Sequence, residues 1–337
     1  MFTRILFSFV FLFVLFPGFA QQKRFSFTQP KMGSPFTIIF YANDSTQANL
    51  LQQQSFKLVD SFVFIFSDYI DSSELSRLSS TAGKDSPVKI SPALWDMLLQ
   101  SKNAFDRSGG AFDITIGPLS KFWRRLRKQK QFPSREDVIE KQKLVGFNKI
   151  TLDTINKTAK LVIPGMQLDL GGIAQGYIAQ QVLDFLREQN IKQALINVSG
   201  DIVMSDAPLA SNGWTVGINL PENADELLPR TLLMKNKAIT TSGDVYQFIE
   251  HNGKKYSHII DPRTGYGVTS QRNVTAIADD GTTADWLATA CSILSIKKAK
   301  KLARQLNAEI LITEIKKDKL IFHTTKGFDT YWKQTAQ

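Results

Sequence analysis

From residue 149 to residue 313 the sequence holds seven strand-like segments but only three helical ones, and this imbalance restricts the folds open to the chain. Short runs rich in β-branched and aromatic residues, bounded by loop-forming Gly, Pro, Asn and Asp, fall at 160–163, 193–198, 214–219, 237–241, 255–260, 273–278 and 309–313. Apolar residues at helical spacing fall at 176–190, 283–293 and 297–306. A wholly parallel, doubly wound sheet would need a crossover helix between nearly every pair of neighbouring strands. The chain lacks them. The predicted class is therefore α+β or mixed α/β, with mixed sheets flanked by helices.

The first half adds a strand in Phe36-Thr37-Ile38-Ile39-Phe40-Tyr41, preceded by Met32-Gly33-Ser34-Pro35. A helix is predicted over 46–66, where Leu51, Phe56, Val59, Phe62, Val63 and Phe66 recur on one face, and another over 91–108, opened by Ser91-Pro92. No internal repeat or long linker divides the chain, so residues 21–337 read as one unit. With 337 residues, 43% hydrophobic and 21% charged, that unit can bury a large core. Wholly disordered, collagenous and multi-spanning membrane classes are excluded.

The first twenty residues have the order of a targeting segment: Arg4, an apolar run from Ile5 to Phe16, then Pro17-Gly18-Phe19-Ala20. About 12 apolar residues fall short of the roughly 20 that cross a bilayer. Cleavage near Ala20 and export are expected, with an uncleaved N-terminal anchor as the alternative. No cysteine follows the cut, so the mature chain is expected to be a soluble periplasmic protein without a lipid anchor. The single cysteine, Cys291, lies in a small, apolar stretch with no charge beside it to activate a thiolate.

A net charge of +10 favours anionic partners without choosing among them. Lys121 to Lys130 (KFWRRLRKQK) holds six basic residues with Phe122, Trp123 and Leu126 interleaved, and reads either as an anion-gripping surface or as a solvated helix face over an apolar stripe. Lys297, Lys298, Lys300, Lys301 and Arg304 form a second basic cluster. Neither a helix-turn-helix pattern nor paired zinc ligands accompany them, so nucleic acid is not an expected partner.

Four segments dense in Gly, Asp, Ser and Thr adjoin the apolar runs. Gly109 to Leu119 (GGAFDITIGPL) is the first; Leu168 to Tyr177 (LDLGGIAQGY) is the second, where paired glycines before a helix suit either a tight turn or an anion held by backbone N–H groups. The third joins Thr240-Thr241-Ser242-Gly243-Asp244 to Tyr256-Ser257-His258-Ile259-Ile260-Asp261-Pro262-Arg263-Thr264-Gly265. There His258 fits two readings, an imidazole oriented by Asp261 for proton transfer and a structural histidine in a turn. In the fourth, Ala284 to Ala290 (ADWLATA), helical spacing puts Asp285 and Thr289 on one face. A carboxylate and a hydroxyl there suit a hard cation such as Mg²⁺, while Asp285 also fits a plain helix-start acid.

Taken in this order, the segments resemble the ApbE family of FAD:protein FMN transferases over nearly the whole mature chain. Met32-Gly33-Ser34 is similar to the family's opening Met-Gly-Thr, and Tyr69 with Ser73-Glu74-Leu75-Ser76-Arg77 to its Tyr-x-x-x-Ser-Glu-Leu-Ser-Arg stretch. The resemblance implies a compact T-fold-like architecture, FAD as substrate, Mg²⁺ as cofactor, and transfer of FMN to a Thr or Ser hydroxyl of an exported redox protein, with AMP leaving. It implies metal ligation by Asp285, Thr289 and the Ala174 carbonyl. Met32, Tyr69, Ala111, Phe112, Asp113 and Ile259 would line the FAD, and His258 would deprotonate the acceptor. Gln175 departs from the pattern, standing where many members carry Lys, and Ser34 replaces Thr. The alternatives are a Mg²⁺-dependent FAD pyrophosphatase and a non-catalytic flavin carrier. A membrane-bound acceptor would bring the protein near a membrane surface.

Overall fold

The chain is described by a computed structural model over residues 22–219, 227–243, 247–270, 272–316 and 319–334. The expected leader and Asp244 lie outside the described residues. A hairpin of β1 (Lys23–Lys31) and β2 (Ser34–Ala42) opens the fold. Its two-residue turn is Met32-Gly33, both at positive φ (+53° and +73°), the backbone of a tight turn that matches strand twist. The sequence favours glycine at one of these positions and tolerates Met32 at the other.

Helices α1 (Ser45–Phe66), α2 (Glu74–Ser79) and α3 (Pro92–Ser108) follow, with β3 (Val88–Lys89) between the last two. Each helix starts on a side-chain cap: Asp44, Ser73 and Ser91 accept from the backbone N–H three residues on. Next come α4 (Gly117–Gln129), α5 (Arg135–Gln142), β4 (Ile150–Asp153), β5 (Thr158–Leu161) and α6 (Ala174–Glu188). The strand-rich second half comprises β6 (Ala194–Val198), β7 (Asp201–Met204), β8 (Trp214–Val216), β9 (Leu232–Met234), β10 (Lys237–Ser242), β11 (Phe248–His251), β12 (Lys254–Ser257) and β13 (Arg272–Ala278). The chain closes with α7 (Gly281–Ile293), α8 (Ile296–Gln305), β14 (Glu309–Lys316) and β15 (Lys319–Thr324).

Eight strands form one sheet in the order β1-β2-β6-β7-β10-β13-β14-β15, and every pairing among the described residues is antiparallel. This is how the surplus of strands over helices is resolved: direct antiparallel neighbours need no crossover. The strands alternate between two cores. Ala194, Ile196, Val198, Val274, Ala276, Ile310 and Ile312 face the helices, whereas Leu195, Ile239, Ile277 and Leu311 face a smaller core closed by β8 and β9. A third cluster joins Leu119, Phe122, Trp123 and Leu126 of α4 to Val138, Ile249 and Ile260. It fastens the β11–β12 hairpin and the loop after it to α4.

The 255–260 segment departs from the expected strand: β12 ends at Ser257, and Ile259 and Ile260 bury their side chains from a loop. β1 and β7 escape the sequence reading because one alternates weakly and the other is four residues long. Among the described residues no helix is long and apolar enough to cross a membrane.

Candidate functional site

Tyr69 stands on a loop that the Ser-Glu-Leu-Ser-Arg segment holds in place. Ser73 caps α2 and donates its hydroxyl to Ser67 O (2.6 Å), Arg77 donates to Ser72 O, and Glu74 accepts from Ser91 N at the start of α3 (2.6 Å). The motif is thus a brace. What it presents is Tyr69, a residue 72% exposed to solvent.

Beneath the Tyr69 ring lies Arg124 of α4, its guanidinium 4.1 Å from the ring centroid. Arg124 also pairs with Asp68 Oδ2 (3.1 Å) and Asp169 Oδ2 (3.4 Å). Burial and the neighbouring Asp169 raise the pKa of Asp68; burial would lower that of Arg124, but the two carboxylates more than offset this and hold it above its usual value. Asp169 is fixed further, its Oδ1 accepting from Gly171 N (2.8 Å) and its Oδ2, the oxygen Arg124 holds, accepting from the Ser120 hydroxyl (2.5 Å). It opens the turn that leads into α6.

That turn meets α7 through glycine. A Cβ on Gly176 would sit 2.1 Å from Gly281 O, and one on Gly281 would sit 2.3 Å from Gly176 O, so the first turns of α6 and α7 cross backbone to backbone. The crossing delivers the Asp285 carboxylate to Gly176 N (Oδ2 at 2.9 Å). One turn later Thr289 Oγ1 faces Gly172, where a Cβ would lie only 2.9 Å from it, with the Phe112 ring at 3.3 Å. Asp285, Thr289 and the residues flanking Ala174 are therefore brought together.

Asp285 is 4% exposed, and its pKa is driven well above the usual carboxylate range, first by burial and then by Asp201 at the start of β7. Burial likewise raises Asp201, against a hydrogen bond from Thr240. Two carboxylates set against each other with so few donors form an environment that a divalent cation would relieve, and the carboxylate, hydroxyl and carbonyl oxygens available are the donors Mg²⁺ takes. Asp201, which the sequence does not single out, comes against Asp285 because β6 and β7 pair across the Ser199-Gly200 turn, a contact that no local pattern announces.

His258 follows β12, its backbone N donating to Gln247 O (2.8 Å). Asp261, the partner offered by spacing, instead clasps the Arg263 guanidinium (2.8 and 2.7 Å). The charges that His258 feels are Arg127 of α4 and Asp169. Surrounding protein, and then Arg127, hold the imidazole pKa below its ordinary value although the residue is exposed at the surface.

The remaining expected residues take different places. Ala111 and Phe112 are buried. Phe112 packs near Trp286 (ring centroids 6.3 Å). Asp113 turns inward, accepting from Thr115 N (2.9 Å), Thr115 Oγ1 (2.6 Å) and Phe147 N (3.1 Å), so its carboxylate holds the loop together. Ile259 is 8% exposed. Met32 stands on the β1–β2 turn, half-buried against the main core, and no hydrogen bond among the described residues ties it to the group around Asp169. Gln175 is half-buried beside the crossing of α6 and α7.

Residues 32–312 match the ApbE family. The chain is 30% identical over 287 residues to an FAD:protein FMN transferase of Klebsiella pneumoniae, covering 85% of this chain and 87% of the relative. It is 31% identical over 271 residues to one of Haemophilus influenzae, covering 78% and 76%. Among solved structures, the flavin transferase ApbE from Vibrio cholerae superposes with a TM-score of 0.81 at 24% identity, over 92% of this chain and 99% of that one. The ApbE protein of Thermotoga maritima gives 0.83 at 22%, over 93% and 100%. With the fold, the ordered motifs and a match over most of its length in agreement, the chain belongs to the ApbE family.

Proposed function

We propose that the protein transfers FMN from FAD to a Thr or Ser hydroxyl of an exported acceptor protein, with Mg²⁺ bound at Asp285, Thr289 and the Ala174 carbonyl. The observation that carries this reading is the α6–α7 crossing, which sets the Asp285 carboxylate and the Thr289 hydroxyl against one glycine-rich turn. When bound there, Mg²⁺ would offset the charge of the FAD pyrophosphate and favour departure of AMP. The chain's own residues do the rest. The Asp169–Arg124–Tyr69 group borders the same turn and offers an open aromatic face for the flavin. His258, kept neutral by its surroundings, takes the proton of the acceptor hydroxyl as its oxygen forms the new bond to the FMN phosphorus and the bond to the AMP oxygen breaks. Residues 1–20 serve as the export signal in this reading, and the mature chain acts in the periplasm.

Incubation with FAD, Mg²⁺ and candidate exported acceptors, followed by intact mass of every protein and assay of free nucleotides, tests the reading. An acceptor heavier by one FMN ester, with AMP released in equal amount, is expected. Free FMN and AMP with no adduct would assign hydrolysis instead; unchanged FAD would leave a flavin carrier.

A further inference from the structure

We propose that Arg124 is a positioning residue for flavin binding, its guanidinium, braced by Asp68 and Asp169, holding the Tyr69 ring flat as a stacking platform. The inference rests on the reading of this region as an FAD site and adds to it a residue outside the motifs that suggested that reading. An exposed tyrosine ordinarily samples several rotamers, and ordering it on binding costs affinity. Here the residue is 72% exposed and its ring is pinned from below: the guanidinium carbon lies 4.1 Å from the ring centroid, which leaves the other face for a ligand.

Arg124 is held in turn. Its side chain is 22% exposed and gives one donor to Asp68 Oδ2 (3.1 Å) and another to Asp169 Oδ2 (3.4 Å). Asp68 precedes Tyr69 in the chain, and Asp169 accepts from Gly171 N in the turn that faces Thr289. A continuous path of contacts thus links the platform to the turn carrying Ala174. A planar guanidinium can stack and pair at once, whereas the ammonium of lysine is a point charge that can do only the second. Arg124 also sits between two carboxylates that would otherwise repel each other and an incoming pyrophosphate.

FAD titrations with Mg²⁺ present, followed by quenching of flavin emission, test this on the native protein, Arg124→Met, Arg124→Lys, Tyr69→Ala and the Arg124→Met/Tyr69→Ala pair. Arg124→Met and Tyr69→Ala should each weaken FAD binding about tenfold, and the pair should do no worse than either alone, because one acts through the other. Arg124→Lys should restore part of the affinity but not the full quenching, and turnover at saturating FAD should change less than about threefold while KM rises. Losses that multiply, or complete rescue by Lys, would overturn the positioning role. Thermal unfolding monitors the fold of each variant, and Arg124→Lys carries the comparison should Arg124→Met not fold. If the native protein itself fails to bind FAD, the site reading falls and this inference with it; binding with independent losses overturns the inference alone.

Discussion

Two helices of this protein look alike in sequence and do different work. α4 and α8 each pair a dense run of Lys and Arg with an apolar stripe, Phe122, Trp123 and Leu126 in one, Ala299, Leu302 and Ala303 in the other. On α8, Lys297, Lys298, Lys301 and Arg304 are exposed, and its cations make no ion pair among the described residues. On α4, Arg124 reaches two carboxylates and an aromatic ring, and Arg127 sets part of the field at His258. Charge density does not separate them. What differs is the surface opposite, and for α4 that surface comes from residues 56 and 45 positions away in the chain.

If α4 and the α6–α7 crossing border one reaction site, damage on either side of it should be severe. Asp285→Ala should reduce Mg²⁺-dependent FMN release to background while circular dichroism stays native; retained activity with unchanged Mg²⁺ dependence would remove Asp285 from the metal site. His258→Ala should slow transfer about a hundredfold or more and leave FAD affinity nearly unchanged, the scale of a lost general base. Equal losses in binding and turnover would make it a binding residue instead.

The same histidine gives a pH test. Its folded pKa lies below the ordinary value of about 6.5, so the folded chain binds its proton less readily than the unfolded chain. The midpoint of the acid-side fall in transfer at saturating substrates should then lie below pH 6.5, and this group's contribution to stability falls over the same acid range. A decline beginning well above pH 7 would contradict the lowered pKa.

Smaller effects sharpen the contrast. Gln175→Lys adds a cation at the turn, and FAD titrated across a Mg²⁺ series should bind several-fold tighter when the metal is scarce and about equally when it saturates, since both neutralise phosphate. An equal gain at every Mg²⁺ concentration would show that residue 175 does not share that charge. On α8, replacing Lys297, Lys298, Lys300 and Lys301 together by Gln should leave turnover and FAD affinity within about twofold and the thermal midpoint within about 2 °C, as exposed substitutions do. A large loss there would break the distinction between the two helices.

Much of this was legible in sequence. Caps such as Ser91-Pro92, the helical spacing of Asp285 and Thr289, and the surplus of strands are local, and local chemistry fixes them. Three things were not. The inward turn of Asp113 depends on donors from Thr115 and Phe147, of which Phe147 is remote in sequence. Asp261 had a nearer partner in Arg263 than in His258, a choice that spacing cannot rank. Arg124 meets Asp169, and Asp201 meets Asp285, only because distant segments fold against each other, so no pattern within either segment could announce these pairs.

A crystal structure with FAD and Mn²⁺ in place of Mg²⁺ would test the account most directly, since anomalous scattering locates the metal without assumption. The account predicts one Mn²⁺ peak within coordination distance of the Asp285 carboxylate, the Thr289 hydroxyl and the Ala174 carbonyl, with the flavin ring lying on the open face of Tyr69 and Arg124 still beneath it. A metal bound away from Asp285, or a flavin that leaves Tyr69 uncovered, would contradict it.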